Sequence, residues 1–90
     1  MNVKREGFAL VTLEGEYLTF EQVAERDIEV YAVENADEAD LFNTEMEANE
    51  IALDILKERS QWNYLLESTN NPVSIVKVIK ELKIEKTKEL

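Results

Sequence analysis

The chain contains no cysteine and no histidine, two glycines and a single proline. Without cysteine there is no disulfide, no thiolate metal site and no thiol nucleophile. Without histidine the Ser-His and Cys-His systems are excluded, and no side chain has an ordinary pKa near neutrality. Two glycines do not make a phosphate-cradling loop of the Walker or dinucleotide type. No apolar run reaches the roughly 18–20 residues of a membrane span. The start, "MNVKREGFALVTLEGE", is basic but holds only a short apolar patch, too small for a secretory core. The expectation is a cytoplasmic, non-enzymatic protein with no cofactor.

Cations are missing from one place above all. Residues 27–56, "DIEVYAVENADEADLFNTEMEANEIALDIL", hold Asp27, Glu29, Glu34, Asp37, Glu38, Asp40, Glu45, Glu47, Glu50 and Asp54, but no Lys or Arg. Across the 90 residues, 20 acids oppose 10 bases, a formal charge of −10. The imbalance belongs to residues 14–58, where fifteen acids face only Arg26 and Lys57. Residues 59–90 are slightly basic, with Arg59, Lys77, Lys80, Lys83, Lys86 and Lys88 against Glu67, Glu81, Glu85 and Glu89. An acidic surface disfavours direct binding to nucleic acid or to an anionic membrane, since counterion release needs protein cations.

The acidic stretch is not a disordered tail, because Val30, Tyr31, Val33, Leu41, Phe42, Ile51, Leu53, Ile55 and Leu56 run through it. Its length suits a single domain over residues 1–90. "GFALVTLEGEYLTF" reads as a β-hairpin turning at Glu14-Gly15, and residues 28–34 as a third strand. Leu41-Phe42 adds a short extended piece. Thr44 and Glu47 form a capping box, and Ala48, Ile51, Ala52, Ile55 and Leu56 then fall on one apolar stripe, predicting a helix over about 45–58. "SQWNYLLES" (60–68) reads as continued or second helix with Trp62, Leu65 and Leu66 facing the core. The segment 73–84 has both helical and alternating features, and its β-branched residues favour a strand. The expected fold is α+β: a small antiparallel sheet of the hairpin, strand 28–34 and the C-terminal segment, packed against the helix.

The succession Ala39, Phe42, Thr44, Glu47 and Ala48 fits an "A-x-x-F-x-T-x-x-E-A" turn between a strand and a helix. In this, about a third of the chain resembles small accessory proteins of phages infecting Gram-positive bacteria. The resemblance implies a compact acidic product that binds and blocks a host enzyme or defence complex. It carries no residue roles.

Three readings of the acids compete. Asp37, Glu38 and Asp40 offer oxygen ligands in a turn, but without the alternate ligand positions and central glycine of a calcium loop. A solvated surface needs no partner at all. Third, Glu47, Glu50, Asp54 and Glu58 recur at spacings of three and four, which puts them roughly 5–6 Å apart along one helix face. Like charges so placed repel, by a few tenths of a kcal/mol per pair. A row of carboxylates can stand in for nucleic-acid phosphates and fill the basic groove of a host protein. Joined to the resemblance, this gives the preferred expectation: an anti-CRISPR or a replication or repair inhibitor acting through Asp37, Glu38, Asp40, Glu47, Glu50, Asp54 and Glu58. The alternative is a structural or adaptor protein that self-associates, as a homodimer for instance, or joins an assembly through Trp62/Tyr64 or an exposed sheet edge.

Overall fold

In the computed structural model, which describes residues 2–89, five strands form one sheet with a single helix packed against it. The strands are β1 (Asn2–Thr12), β2 (Tyr17–Gln22), β3 (Asp27–Val33), β4 (Asn63–Leu65) and β5 (Pro72–Lys83). The helix, α1, spans Glu45–Lys57. The order across the sheet is β4-β3-β2-β1-β5. The α+β expectation holds. One pairing makes the sheet mixed rather than wholly antiparallel: β4 runs parallel to β3.

β1 turns into β2 through Leu13–Gly15. The Thr12 N–H donates to the Glu16 carbonyl (2.9 Å) and the Gly15 N–H to the Thr12 carbonyl (3.0 Å). The buried Thr12 hydroxyl accepts from the Glu16 N–H. Gly15 sits at φ 82°, in the region that glycine enters without steric cost. This hairpin is unusual because it is paired only beside its turn, Val11 with Tyr17. Beyond that point β1 and β2 splay apart, and residues 40–42 fill the opening as a wedge. Phe42 exchanges two backbone hydrogen bonds with Phe8, both 2.8 Å, while the Asp40 N–H donates to the Leu18 carbonyl. The extended piece expected at Leu41-Phe42 is this wedge.

β1 is covered on both faces. On one, Leu10, Leu18, Val30 and Ala48 form a buried cluster, with Phe8, Phe20, Phe42, Ile51 and Ile75 packed around it. Phe20 meets Phe42 and Tyr64 edge-on, the geometry aromatic rings prefer. On the other face Ala9, Ala39 and Val78 are buried with Tyr17, Leu41 and Val76. The alternation of β1 thus feeds two small cores, and its small residues, Gly7 and Ala9, face the returning chain.

α1 begins with one half of the expected capping box: the Thr44 hydroxyl accepts from the Glu47 N–H (3.1 Å). The Glu47 carboxylate accepts from the Asn43 N–H, one residue before the cap (3.3 Å). The helix ends at Lys57, because Glu58 turns left-handed (φ 51°). The strand expected at 28–34 runs Asp27–Val33.

The helical reading of residues 60–68 is overturned. The Ser60 hydroxyl accepts from the Trp62 N–H and bends the chain. Asn63 then ties itself to the sheet, its N–H donating to the Arg26 carbonyl (2.6 Å) and its side-chain amide to the Asp27 carboxylate (3.0 Å). Trp62 and Leu65 are consequently exposed, while Leu66 packs against the core together with Tyr64. The β-branched 73–84 segment is a strand, antiparallel to β1 along nearly its whole length. Those two strands run on past the core as a ribbon, which helps stretch the molecule to 51 × 27 × 22 Å. Among the described residues no helix is long and apolar enough to cross a membrane.

Candidate acidic face and aromatic cleft

The seven carboxylates singled out in the sequence, three in a turn and four by helical spacing, are divided by the fold into different jobs. Asp40 belongs to the wedge. Its Oδ2 accepts from the Phe20 N–H (2.6 Å) and from the Thr19 hydroxyl (3.0 Å). It supplies to β2 the acceptor that a neighbouring strand would have given, and this satisfies backbone that β1 has left unpaired. Asp40 therefore holds the fold together. Its replacement by alanine strands the half-buried Phe20 N–H, so Asp40→Ala is expected to cost about 1–3 kcal/mol. Asp40→Asn keeps an acceptor oxygen and should cost less. Urea unfolding of the two variants beside the wild type orders them, and equal midpoints for all three would refute the role.

Asp37 and Glu38 lie just before it on a 3-10 turn, Ala36–Glu38, capped by the Asn35 side chain accepting from the Asp37 N–H. Both are exposed. The Asp37 carbonyl, rather than its carboxylate, receives the Lys80 ammonium at 2.8 Å. This turn is separate from the α1 row, so the seven residues do not form one continuous line.

On α1, Glu47 and Glu50 are exposed and Asp54 is half-buried. One cation enters the row. The Arg59 guanidinium reaches Glu50 Oε2 at 3.2 Å and Asp54 Oδ1 at 3.5 Å. It can do so because the left-handed Glu58 reverses the chain and brings Arg59 back along the last turns of the helix. The pairs are largely exposed, where such bridges are worth little. They relieve the like-charge repulsion but leave Glu45, Glu47 and Glu58 unanswered by any bridge among the described residues.

Past Arg59 the row opens into a cleft lined by Asp27, Asp54, Glu58, Trp62 and Tyr64, with Ser60 and Leu66. Three elements build it: the end of α1, the start of β3 and the β4 segment. Trp62 is 41% exposed at its rim. Burial raises the Tyr64 phenol above its ordinary pKa, the Asp54 charge adds to the rise, and a hydrogen bond with Ser60 partly offsets both. Carboxylates beside an open indole suit a cationic side chain, through charge and through the face of the ring. Asp27 was outside the set chosen from helical spacing, since only the parallel β3–β4 pairing brings it beside the Trp62 segment, and only the packing of α1 on the sheet sets Asp54 in the same cleft. Among the described residues, no group of three or more acids is placed to hold a metal ion.

No protein-family model, curated protein or solved structure matches this chain. The site must therefore be read from its own chemistry.

Proposed function

We propose that the protein is a non-enzymatic binding protein that docks against a basic protein surface and blocks it. The observation that carries this reading is the run of exposed carboxylates along α1, ending in an acidic cleft with an open tryptophan at its rim. An Arg or Lys of the partner would anchor beside Trp62, between Asp27, Asp54 and Glu58. Glu47 and Glu50 would extend the contact, whereas the Asp37–Glu38 turn, packed on the other face of the sheet, lies outside it. Aromatic and charged anchors of this kind concentrate binding energy, while rim charges set the speed of encounter. A groove that normally receives nucleic acid is the partner class best matched to such a row. The preferred role is that of a phage accessory inhibitor acting on a nucleic-acid-handling protein in the host cytoplasm.

The test uses tagged protein in lysate of a Gram-positive bacterium, treated with nuclease and washed at low and high salt. The expected result is retention at low salt of a nucleic-acid-binding protein that added DNA or RNA displaces. With the partner in hand, Glu58→Lys and Asp54→Lys should weaken binding about tenfold or more and flatten its salt dependence. Binding that ignores both salt and these reversals would remove the acids from the interface.

A further inference from the structure

A second surface, on the opposite edge of the sheet, is complementary to itself. β5 is an edge strand of 12 residues, bound on its inner side to β1 from Pro72 to Lys83. No strand of the described residues lies along its outer side. Phe8 commits both of its backbone groups to Phe42. At the Phe8–Lys77 pair neither bond is therefore made to β5, and antiparallel alternation turns the N–H and C=O of Lys77, Ile79 and Glu81 outward. These three side chains share one face of the sheet, and Ile79 is 57% exposed at their centre.

Natural edges of this length are usually blunted by lysine, proline or a bulge. Here the only proline opens the strand, and its one irregularity lies near the same end, by Thr12. Two of the lysines are drawn back onto their own chain. Lys80 donates to the Asp37 carbonyl, and Lys77 lies 3.6 Å from the Glu6 carboxylate.

We propose that two copies of this chain join edge to edge through β5, with a two-fold axis at Ile79. In that register Ile79 faces Ile79 of the second copy, and Lys77 faces Glu81 twice, once on each side of the axis. Val76 faces Leu82 on the other face of the sheet. Ile75 faces Lys83, bringing a basic end of one ribbon to the hollow beside Glu45 and Asn49 of the other copy. The outward groups meet in hydrogen-bonded pairs, about ten bonds in all. Charge selects this register over its neighbours. An axis at Lys80 would set Lys80 against itself and Lys77 against Lys83, whereas an axis at Val78 would set Lys77 against Ile79 and Glu81 against Ile75. The result is a ten-stranded sheet with both helices on one side, staggered along the strands. It leaves the Trp62 cleft, at the far β4 edge, open on each copy, so the pairing does not depend on the proposed partner.

The experiment exploits the self-complementarity. Sedimentation equilibrium of the full chain from micromolar to millimolar concentration should give twice the monomer mass. Lys77→Glu alone sets two acids against each other, and Glu81→Lys alone two bases; each should weaken dimerisation by roughly tenfold or more. An equimolar mixture of these two variants restores both attractive pairs and should dimerise again, which loss of folding could not imitate. Opposed residues in such a pair lie about 5.5 Å apart at Cα, within disulfide reach. Since the natural chain has no cysteine, oxidised Ile79→Cys should crosslink to dimer, while Val73→Cys, displaced from its own counterpart, should not. A monomer at all concentrations would overturn the proposal. A dimer indifferent to the charge swaps, or equal crosslinking by both cysteine variants, would overturn this edge and register.

Discussion

Replacing Gly7 by valine is expected to lower stability by about 3 kcal/mol, and by alanine about 1–3 kcal/mol. Gly7 is buried where the wedge crosses β1. A Cβ built there would stand 2.7 Å from the Leu41 Cβ, 3.1 Å from the Phe42 carbonyl oxygen and 3.2 Å from the Leu41 Cδ1. The nearest of these atoms cannot swing away as the end of a long side chain would. The Leu41 Cβ is fixed to backbone that the paired Phe8–Phe42 bonds hold on one side and the Asp40 bonds to β2 on the other. Something in that frame has to move. At about 4–8 °C per kcal/mol for a domain of this size, thermal melting should show a large drop in midpoint. Because Gly7→Ala and Asp40→Ala loosen the same wedge, their combined cost should fall short of the sum of the two. A Gly7→Val protein melting with the wild type would mean that the wedge does not seat on β1.

The wedge also marks the limit of what the sequence makes legible. Elements whose signals are local were readable: the capping box at Thr44 and Glu47, the apolar stripe from Ala48 to Leu56, the turn at Gly15 and the β-branched run of β5. Asp40 had the wrong surroundings for such a reading. Its neighbours Asp37 and Glu38 are exposed acids, and only the distant splaying of β1 from β2 turns its carboxylate into a substitute for a strand carbonyl. The segment after α1 misled for a related reason. Leu65 and Leu66 continue a helical pattern, but the left-handed Glu58 and the Ser60 side chain break it. Tertiary bonds from Asn63 then make it a parallel edge strand.

The candidate site was half visible. Glu47, Glu50, Asp54 and Glu58 were found by helical spacing, and three of them do lie along α1. Arg59 was hidden as their partner, since positions five and nine residues apart are not neighbours on a continuous helix. Asp27 was hidden because its proximity to Trp62 exists only across the β3–β4 pairing. Charge counted along the chain thus overstated how bare the row is, and it understated how much acid gathers around the tryptophan.

Leu10→Ala is expected to cost about 2–5 kcal/mol, the range for emptying a well-packed site. Leu10 is wholly buried, 0% exposed, in the cluster shared by β1, β2, β3 and α1. Its neighbour on the helix, Ala48, is also wholly buried and offers only a methyl group, which has no length with which to fill a cavity. The two sides of the site are held by β1 bonded to β5 and by the wedge, so collapse is restricted. A domain of 90 residues has only about 5–13 kcal/mol in hand at 0.05–0.15 kcal/mol per residue. The substitution should therefore remove about a sixth of the total or more, seen as a lower urea midpoint with an unchanged slope. Leu13→Ala is the matching control: it lies three residues on but is 86% exposed at the hairpin turn, so its cost should stay within about 0.5 kcal/mol. α1 rests on this cluster through Ala48 and Ile51, and the spacing between its acids and Trp62 depends on that seat. At a concentration of urea where Leu10→Ala is still folded, partner binding should weaken before the helix signal is lost. Equal losses at Leu10 and Leu13 would mean that Leu10 does not fill the buried cluster.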